Sequence, residues 1–218
     1  MTPMHRTAIT CLALCVLALG ACVDRSQPPT TPDAAEKPDE LAALVPEGWS
    51  IETVARGRLD GDTLDDAAVT LHQSESPTRD ADADVERSLL VLVRTEAGSY
   101  RTVELLRNVL PCTSCLGMLG AADAPDPIAV LIEDRRIKLG WIGGSRDSTE
   151  VSLELALDDQ GMRLLLMREE LIRTDRALGK ETRTVRDLLA RTESVDGATR
   201  PLDHGPSPAA ELSAAELE

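Results

Sequence analysis

The chain has 218 residues, a formal net charge of −15 and only three aromatic residues, Trp49, Tyr100 and Trp141. So acidic a surface repels nucleic acid and anionic headgroups, which argues against a nucleic-acid partner. With no Phe and no aromatic platform, stacking on sugars or bases is disfavoured, and the core must be built from Leu, Val, Ile and Ala.

In chain order, a short segment carrying His5 and Arg6 precedes an apolar run, Ala8 to Ala21, which closes on Leu19-Gly20-Ala21-Cys22. The run holds about 14 apolar or small residues, too few for a permanent membrane span. It resembles a bacterial lipoprotein signal peptide with its lipobox. That resemblance implies cleavage after residue 21 and lipidation of Cys22, which then becomes the mature N-terminus. The peptidase needs small side chains before the cut, and only a thiol accepts the diacylglycerol. In the enteric pattern an Asp after the cysteine favours inner-membrane retention. Here Val23 follows, so the expected address is the periplasmic face of the outer membrane, with Asp24 arguing the other way in lineages that read the next position.

Residues 22–46 are rich in Pro, Thr, Ala and charge and read as a disordered tether, with one helical turn expected around Leu41-Ala42-Ala43-Leu44. From Trp49 short apolar stretches of β type recur between Gly, Asp, Pro and charge. They predict strands near 49–56, 66–73, 88–95, 100–107, 128–133, 136–142, 150–157, 161–168, 170–175 and 182–190. Three pairs read as hairpins, turning at Glu96-Ala97-Gly98-Ser99, between Ile132 and Arg136, and at Asp158-Asp159-Gln160-Gly161. The expected fold is therefore all-β and mainly antiparallel, a propeller-like or sandwich domain over 47–195. Residues 74–87, with Asp80, Asp82 and Asp84, read as a solvated acidic loop. Residues 196–218 read as a disordered Pro/Ala/Glu tail with a helical turn near its end.

Gly57-Arg58-Leu59-Asp60-Gly61-Asp62-Thr63-Leu64-Asp65-Asp66 resembles the calcium loops of FG-GAP and dockerin proteins. Calcium wants oxygen ligands at alternate loop positions around a tight turn. That resemblance puts Asp60, Asp62 and Asp66 at positions 3, 5 and 9 and the Leu64 carbonyl at position 7. Arg58 replaces the first acidic ligand and Thr63 the turn glycine. The expectation is weak calcium binding or none, with an Asp-rich turn in which Arg58 bridges Asp62 or Asp66.

Loss of the signal and lipidation of Cys22 leave Cys112 and Cys115 as the cysteines of the folded part. A redox Cys-x-x-Cys usually sits at a helix N-terminus, and Pro111 and Leu116-Gly117-Met118-Leu119-Gly120 do not read as one. A zinc site needs two more ligands, and only His72 and His204 are at hand. A small structural disulfide is the default reading, and the lipobox implies an oxidising compartment in which it persists. There is no Gly-x-Ser-x-Gly, no His-Glu-x-x-His and no phosphate-cradling loop. His72, on an alternating strand, reads as solvent-side or edge, and Gly143-Gly144-Ser145 as a turn or bulge. No enzyme and no firm cofactor are expected.

Taken in order, RLDGDTLDDAAVTL, RSLLVLVRTEAGSY, Pro111-Cys112-Thr113-Ser114-Cys115, Gly143-Gly144-Ser145, GMRLLLMREE and Thr174-Asp175-Arg176-Ala177-Leu178-Gly179 resemble a family of Gram-negative envelope lipoproteins. The match covers roughly residues 47–190. Some members are immunity proteins against cell-wall-degrading effectors of antibacterial type IV secretion systems. That resemblance, the missing catalytic constellation and the acidic surface together point to a non-catalytic lipoprotein that binds a basic protein such as a peptidoglycan hydrolase. The alternative is a structural or assembly-accessory envelope lipoprotein.

Overall fold

The structure is a computed structural model, and it describes residues 39–74, 85–119 and 128–217. All of these belong to one unit, Lys37–Glu218. Cys22, the expected signal segment 1–21 and Asp80, Asp82 and Asp84 lie outside the described residues. The fold is all-β and antiparallel throughout, with two sheets that share one core, as a sandwich does.

The first sheet has four strands in sequence order: β1 (Trp49–Gly57), β2 (Asp66–Gln73), β3 (Arg87–Arg94) and β4 (Tyr100–Leu106). The second begins with β5 (Ile128–Glu133), β6 (Arg136–Gly144), β7 (Asp147–Leu157) and β8 (Leu164–Asp175). It continues with β9 (Lys180–Asp187), β10 (Thr192–Val195) and β11 (Ala198–Pro201), and β12 (Ser207–Pro208) adds to β8. Each strand from β5 to β11 pairs with its sequence neighbour. A meander of this kind needs only tight hairpin turns, so local chemistry sets most of the register.

The near-continuous apolar runs of β2 and β3 have a direct cause, because the first sheet is covered on both faces. Ala68, Leu89 and Val91 face the second sheet, where they meet Leu139, Trp141, Val151, Leu153 and Leu155. Ala67, Val69, Leu71, Leu90 and Leu92 point the other way, into a smaller cluster closed by Leu41, Trp49 and Tyr100. Leu41 lies on a one-turn helix, α1 (Asp39–Ala42), and is buried. The expected helical turn is therefore present. The tether reading of 22–46 needs correcting at its end, since Leu41, Leu44 and Val45 pack onto the domain. A hydrophobic residue with an apolar surface within reach does not remain in solvent.

β7 shows the opposite pattern. Val151, Leu153 and Leu155 are buried, whereas Ser152 and Glu154 face outwards. Its outer face is laced by charge, with Arg136 and Arg168 both on Glu154, and Arg168 and Arg183 both on Glu170. β8 is one strand where the sequence predicts two. The register slips by one opposite Glu154 and Leu155, leaving Met167 as the extra residue. Leu164 and Leu166 face inwards before this bulge, Glu169 and Leu171 after it. The phase change breaks the alternation while the ladder continues.

The tail reading of 196–218 is also corrected. Asp196 and Gly197, both with positive φ (48° and 85°), turn β10 into β11. Asp-Gly between two strands is a strong hairpin signal, and the flanking Pro, Ala and Glu content obscures it. Beyond β12 a 3-10 turn (Ala209–Glu211) and α2 (Ala214–Leu217) bring Ala209, Ala214 and Leu217 into the main core. The Ala214 amide donates to the Asn108 carbonyl at 2.7 Å, tying the C-terminal segment to the chain after β4. Leu217→Ala should cost about 2 kcal/mol, at the low end for a buried leucine because the site is near a chain end. Thermal or urea denaturation measures this, and an unchanged midpoint would show that the segment does not close the core.

Candidate functional site

The segment between β1 and β2 is built around Asp66. This side chain is fully buried, and its carboxylate accepts three backbone N–H groups: Leu59 at 2.6 Å, Asp60 at 3.3 Å and Arg94 at 2.9 Å. Burial raises its pKa above the ordinary aspartate value, and those amide bonds partly oppose the rise. Asp60 and Asp62 stay near the surface, where each accepts the amide two residues on, Asp62 at 2.9 Å and Leu64 at 2.8 Å. Such Asx turns shape a loop without any ion.

The calcium register of Asp60, Asp62, Leu64 and Asp66 therefore meets a donor set that does not fit. Both oxygens of Asp66 are committed to backbone amides, and a cation in the first position, Arg58, points to solvent. Among the described residues no group of three or more His, Cys, Asp or Glu is arranged to hold a metal. Arg58 forms no ion pair with Asp62 or Asp66, so the bridge expected in place of the metal is corrected too. The buried Asp66 carboxylate is held by backbone amides instead.

Three turns meet around this loop. Gly57 ends β1 against β5, and a Cβ there would lie 2.8 Å from the Ile132 carbonyl oxygen. The β5–β6 turn is Asp134-Arg135, both left-handed (φ 52° and 60°), a two-residue turn that usually takes Asn-Gly. Arg101 of β4 donates to the Gly161 carbonyl at 3.0 Å, holding the β7–β8 turn beside it. A cleft of about 620 Å³ lies between the Asp60–Asp65 loop and the Glu133–Arg135 turn. A second, of about 400 Å³, shares Asp60, Gly61 and Arg135 and runs on to Asp158 and Asp159. Seven carboxylates, Asp60, Asp62, Asp65, Glu133, Asp134, Asp158 and Asp159, thus line one end of the sandwich with Arg58, Arg101 and Arg135. Asp158 is held below the usual carboxylate range, first by the Met162 amide. The carboxylates were visible in the sequence, but their convergence from three turns was not.

The opposite features of the sequence, the cysteine pair and the Gly-Gly-Ser turn, are partners in the fold. Cys112 and Cys115 form a disulfide, as expected, with Cα atoms 5.0 Å apart. The segment after it docks on the end of β6. The Gly144 amide donates to Leu116 at 3.0 Å, and the Leu119 amide donates to Gly144 at 3.1 Å. Leu116 is fully buried, and a Cβ on Gly117 would lie 2.9 Å from the Gly144 carbonyl oxygen. From the other side Arg87, only 6% exposed, donates to the Cys112 carbonyl at 3.3 Å and forks onto Glu52 at 2.8–3.1 Å. Glu52 is available because the β1–β2 register slips there, leaving it as the extra residue. Arg87 read in sequence as the end of an acidic loop; it is a buried strut. Closing a loop this short removes little chain entropy, about 2 kcal/mol, so the packed loop rests mainly on these other contacts. Alkylation before and after reduction should show a mass consistent with one disulfide in protein kept oxidised. Two freely alkylated thiols in such material would refute it.

His72 is half-buried on β2, an inner strand between β1 and β3, so the edge placement is corrected. His204 is exposed beyond β11 and its Nδ1 lies 3.3 Å from the Gly205 carbonyl. The structure does not bring the two histidines into a common constellation with the acidic end. No protein-family model, no curated protein and no solved structure matches this chain.

Proposed function

We propose that this protein is a non-catalytic, lipid-anchored envelope protein whose acidic end binds a basic protein partner, the favoured partner being a cell-wall hydrolase that it inhibits. The observation that carries the reading is the convergence of seven carboxylates from three turns on one end of a rigid sandwich. Loops held by a scaffold are the usual carriers of recognition, and a surface on which seven carboxylates outnumber three arginines steers an oppositely charged protein. The lipobox residues support the location: lipid on Cys22 would concentrate the inhibitor where incoming effectors act. On the same reading Cys22→Ala releases the protein from membrane fractions.

The direct test pairs the protein with a peptidoglycan hydrolase encoded beside it. Deletion should cause self-intoxication, and the purified protein should inhibit the hydrolase. A variant carrying Asp60→Lys, Asp134→Lys and Asp159→Lys should bind at least about tenfold more weakly and lose its dependence on salt. Binding untouched by those changes would remove the acidic end from the interface. Binding without inhibition, and deletion without intoxication, would favour the assembly-accessory role.

A further inference from the structure

We propose that Cys112–Cys115 is a reversible thiol–disulfide exchange site, in which Cys115 is the sulfur attacked and Cys112 the sulfur that leaves. The inference does not depend on the partner-binding reading.

The two cysteines differ in access. Cys115 is exposed, whereas Cys112 is half-buried. Both line a cleft of about 210 Å³ with Glu86, Arg87 and Arg107, through which an incoming thiolate can approach. The leaving sulfur has a donor in place, since the Ser114 hydroxyl lies 3.7 Å from Cys112 Sγ. A hydrogen bond to the departing thiolate lowers its basicity, and a less basic thiolate leaves faster. The Arg87 guanidinium, paired with Glu52, donates to the Cys112 carbonyl at 3.3 Å and fixes the backbone that carries the leaving sulfur.

The loop is built to survive the exchange. Its position rests on the buried Leu116, on the two backbone bonds with Gly144, and on Thr113 donating to the Val85 carbonyl at 3.0 Å. None of these involves a sulfur. Exposed disulfides in short loops are the ones that exchange readily, and here the dithiol form can keep the fold of the disulfide form.

The two electrons come from a dithiol reductant, or equally from two molecules of a monothiol such as glutathione; the dithiol case runs as two exchanges. One thiolate of the reductant bonds to Cys115 Sγ as the Cys112–Cys115 bond breaks. The electron pair goes to Cys112 Sγ, which takes a proton from water. The second thiolate of the reductant then attacks its own bound sulfur, closes the reductant's disulfide and releases Cys115 as a thiolate, which is also protonated. Two electrons pass to the pair, and the reverse sequence reoxidises it.

The test uses the full chain after Cys22 with glutathione as the probe. The protein is equilibrated in buffers of graded reduced-to-oxidised glutathione, quenched with an alkylating agent and weighed intact, with far-UV circular dichroism alongside. The expected result is progressive double alkylation across the series with an unchanged spectrum. Brief reaction of the wild-type disulfide with reduced glutathione should place glutathione on Cys115 and leave Cys112 to be alkylated, and Cys112→Ser, without the resolving thiol, should retain one glutathione on Cys115. Ser114→Ala should be reduced by dithiothreitol several-fold more slowly. A disulfide that stays closed until denaturant is added, or a fold lost on reduction, would overturn the proposal. So would preferential capture on Cys112. The wild-type titration decides the question even where a cysteine variant fails to fold.

Discussion

Asp66→Ala should lower the stability of the domain by about 4 kcal/mol, the largest loss expected from any single side chain in the β1–β2 loop. The carboxylate accepts the amides of Leu59, Asp60 and Arg94, and truncation strands them beside a buried site. Asp66→Asn keeps one acceptor and should cost about half as much. The pH dependence distinguishes this role from a metal ligand's. Because burial raises the Asp66 pKa above 3.8, the folded state holds the proton in a window where the unfolded chain has lost it. Stability from this group therefore grows as pH falls through that window, and it is smallest at neutral pH. Urea unfolding at several pH values should show the gap between wild type and Asp66→Asn widening towards acid. A gap that narrows would reverse the sign. A gap that opens only on adding calcium would restore the ligand role. Glu193 works in the other direction, because hydrogen bonds from Arg186 and Arg200 hold its carboxyl low. Its contribution is present above the ordinary glutamate value and is lost as pH falls through its lowered one.

Gly144→Ala should cost about 3 kcal/mol or more, because two independent constraints exclude a side chain there. The backbone has φ near +107°, and a Cβ would lie 2.0 Å from the Asp147 carbonyl oxygen. Relief requires moving the β6–β7 turn, and that movement breaks both backbone bonds to the disulfide loop. Hydrogen exchange at the Gly144 and Leu119 amides should accelerate together with the loss of stability. Gly140→Ala is the control, since its Cβ would meet the Val151 carbonyl at an ordinary 3.7 Å. It should change stability by less than about 1 kcal/mol. Equal effects at the two positions would mean that the clasp is not where the strain sits.

Much of this fold was legible because its information is local. The all-β class, the hairpins at 96–99, 134–135 and 158–161 and the alternation of β7 follow from period-two patterning and turn residues, and the meander asks for nothing more distant. The run Ser88-Leu89-Leu90-Val91-Leu92-Val93 also announces a strand, although it does not say what covers its second face. That Leu41, Trp49 and Tyr100 cover it is a property of the packed chain. The C-terminal segment misled for a related reason. Pro, Ala and Glu carry little pattern, and three small or apolar side chains, Ala209, Ala214 and Leu217, find the core only because Asn108 and β8 are there to receive them.

The calcium-like loop marks the boundary between the two kinds of information. Alternating aspartates with glycine between them determine a tight, oxygen-rich turn before a strand, and the turn is there. Whether a carboxylate faces an ion or a backbone amide depends on which N–H groups arrive from elsewhere, and the Arg94 amide arrives from the end of β3, 28 residues away. The disulfide loop and Gly144 show the same division. Sequence alone identified a cysteine pair able to close a small ring and, in Gly143-Gly144-Ser145, a turn or bulge. Their mutual grip exists only once β6 ends beside Leu116, because close backbone approach is decided by the packing of strands and not by the composition of either segment.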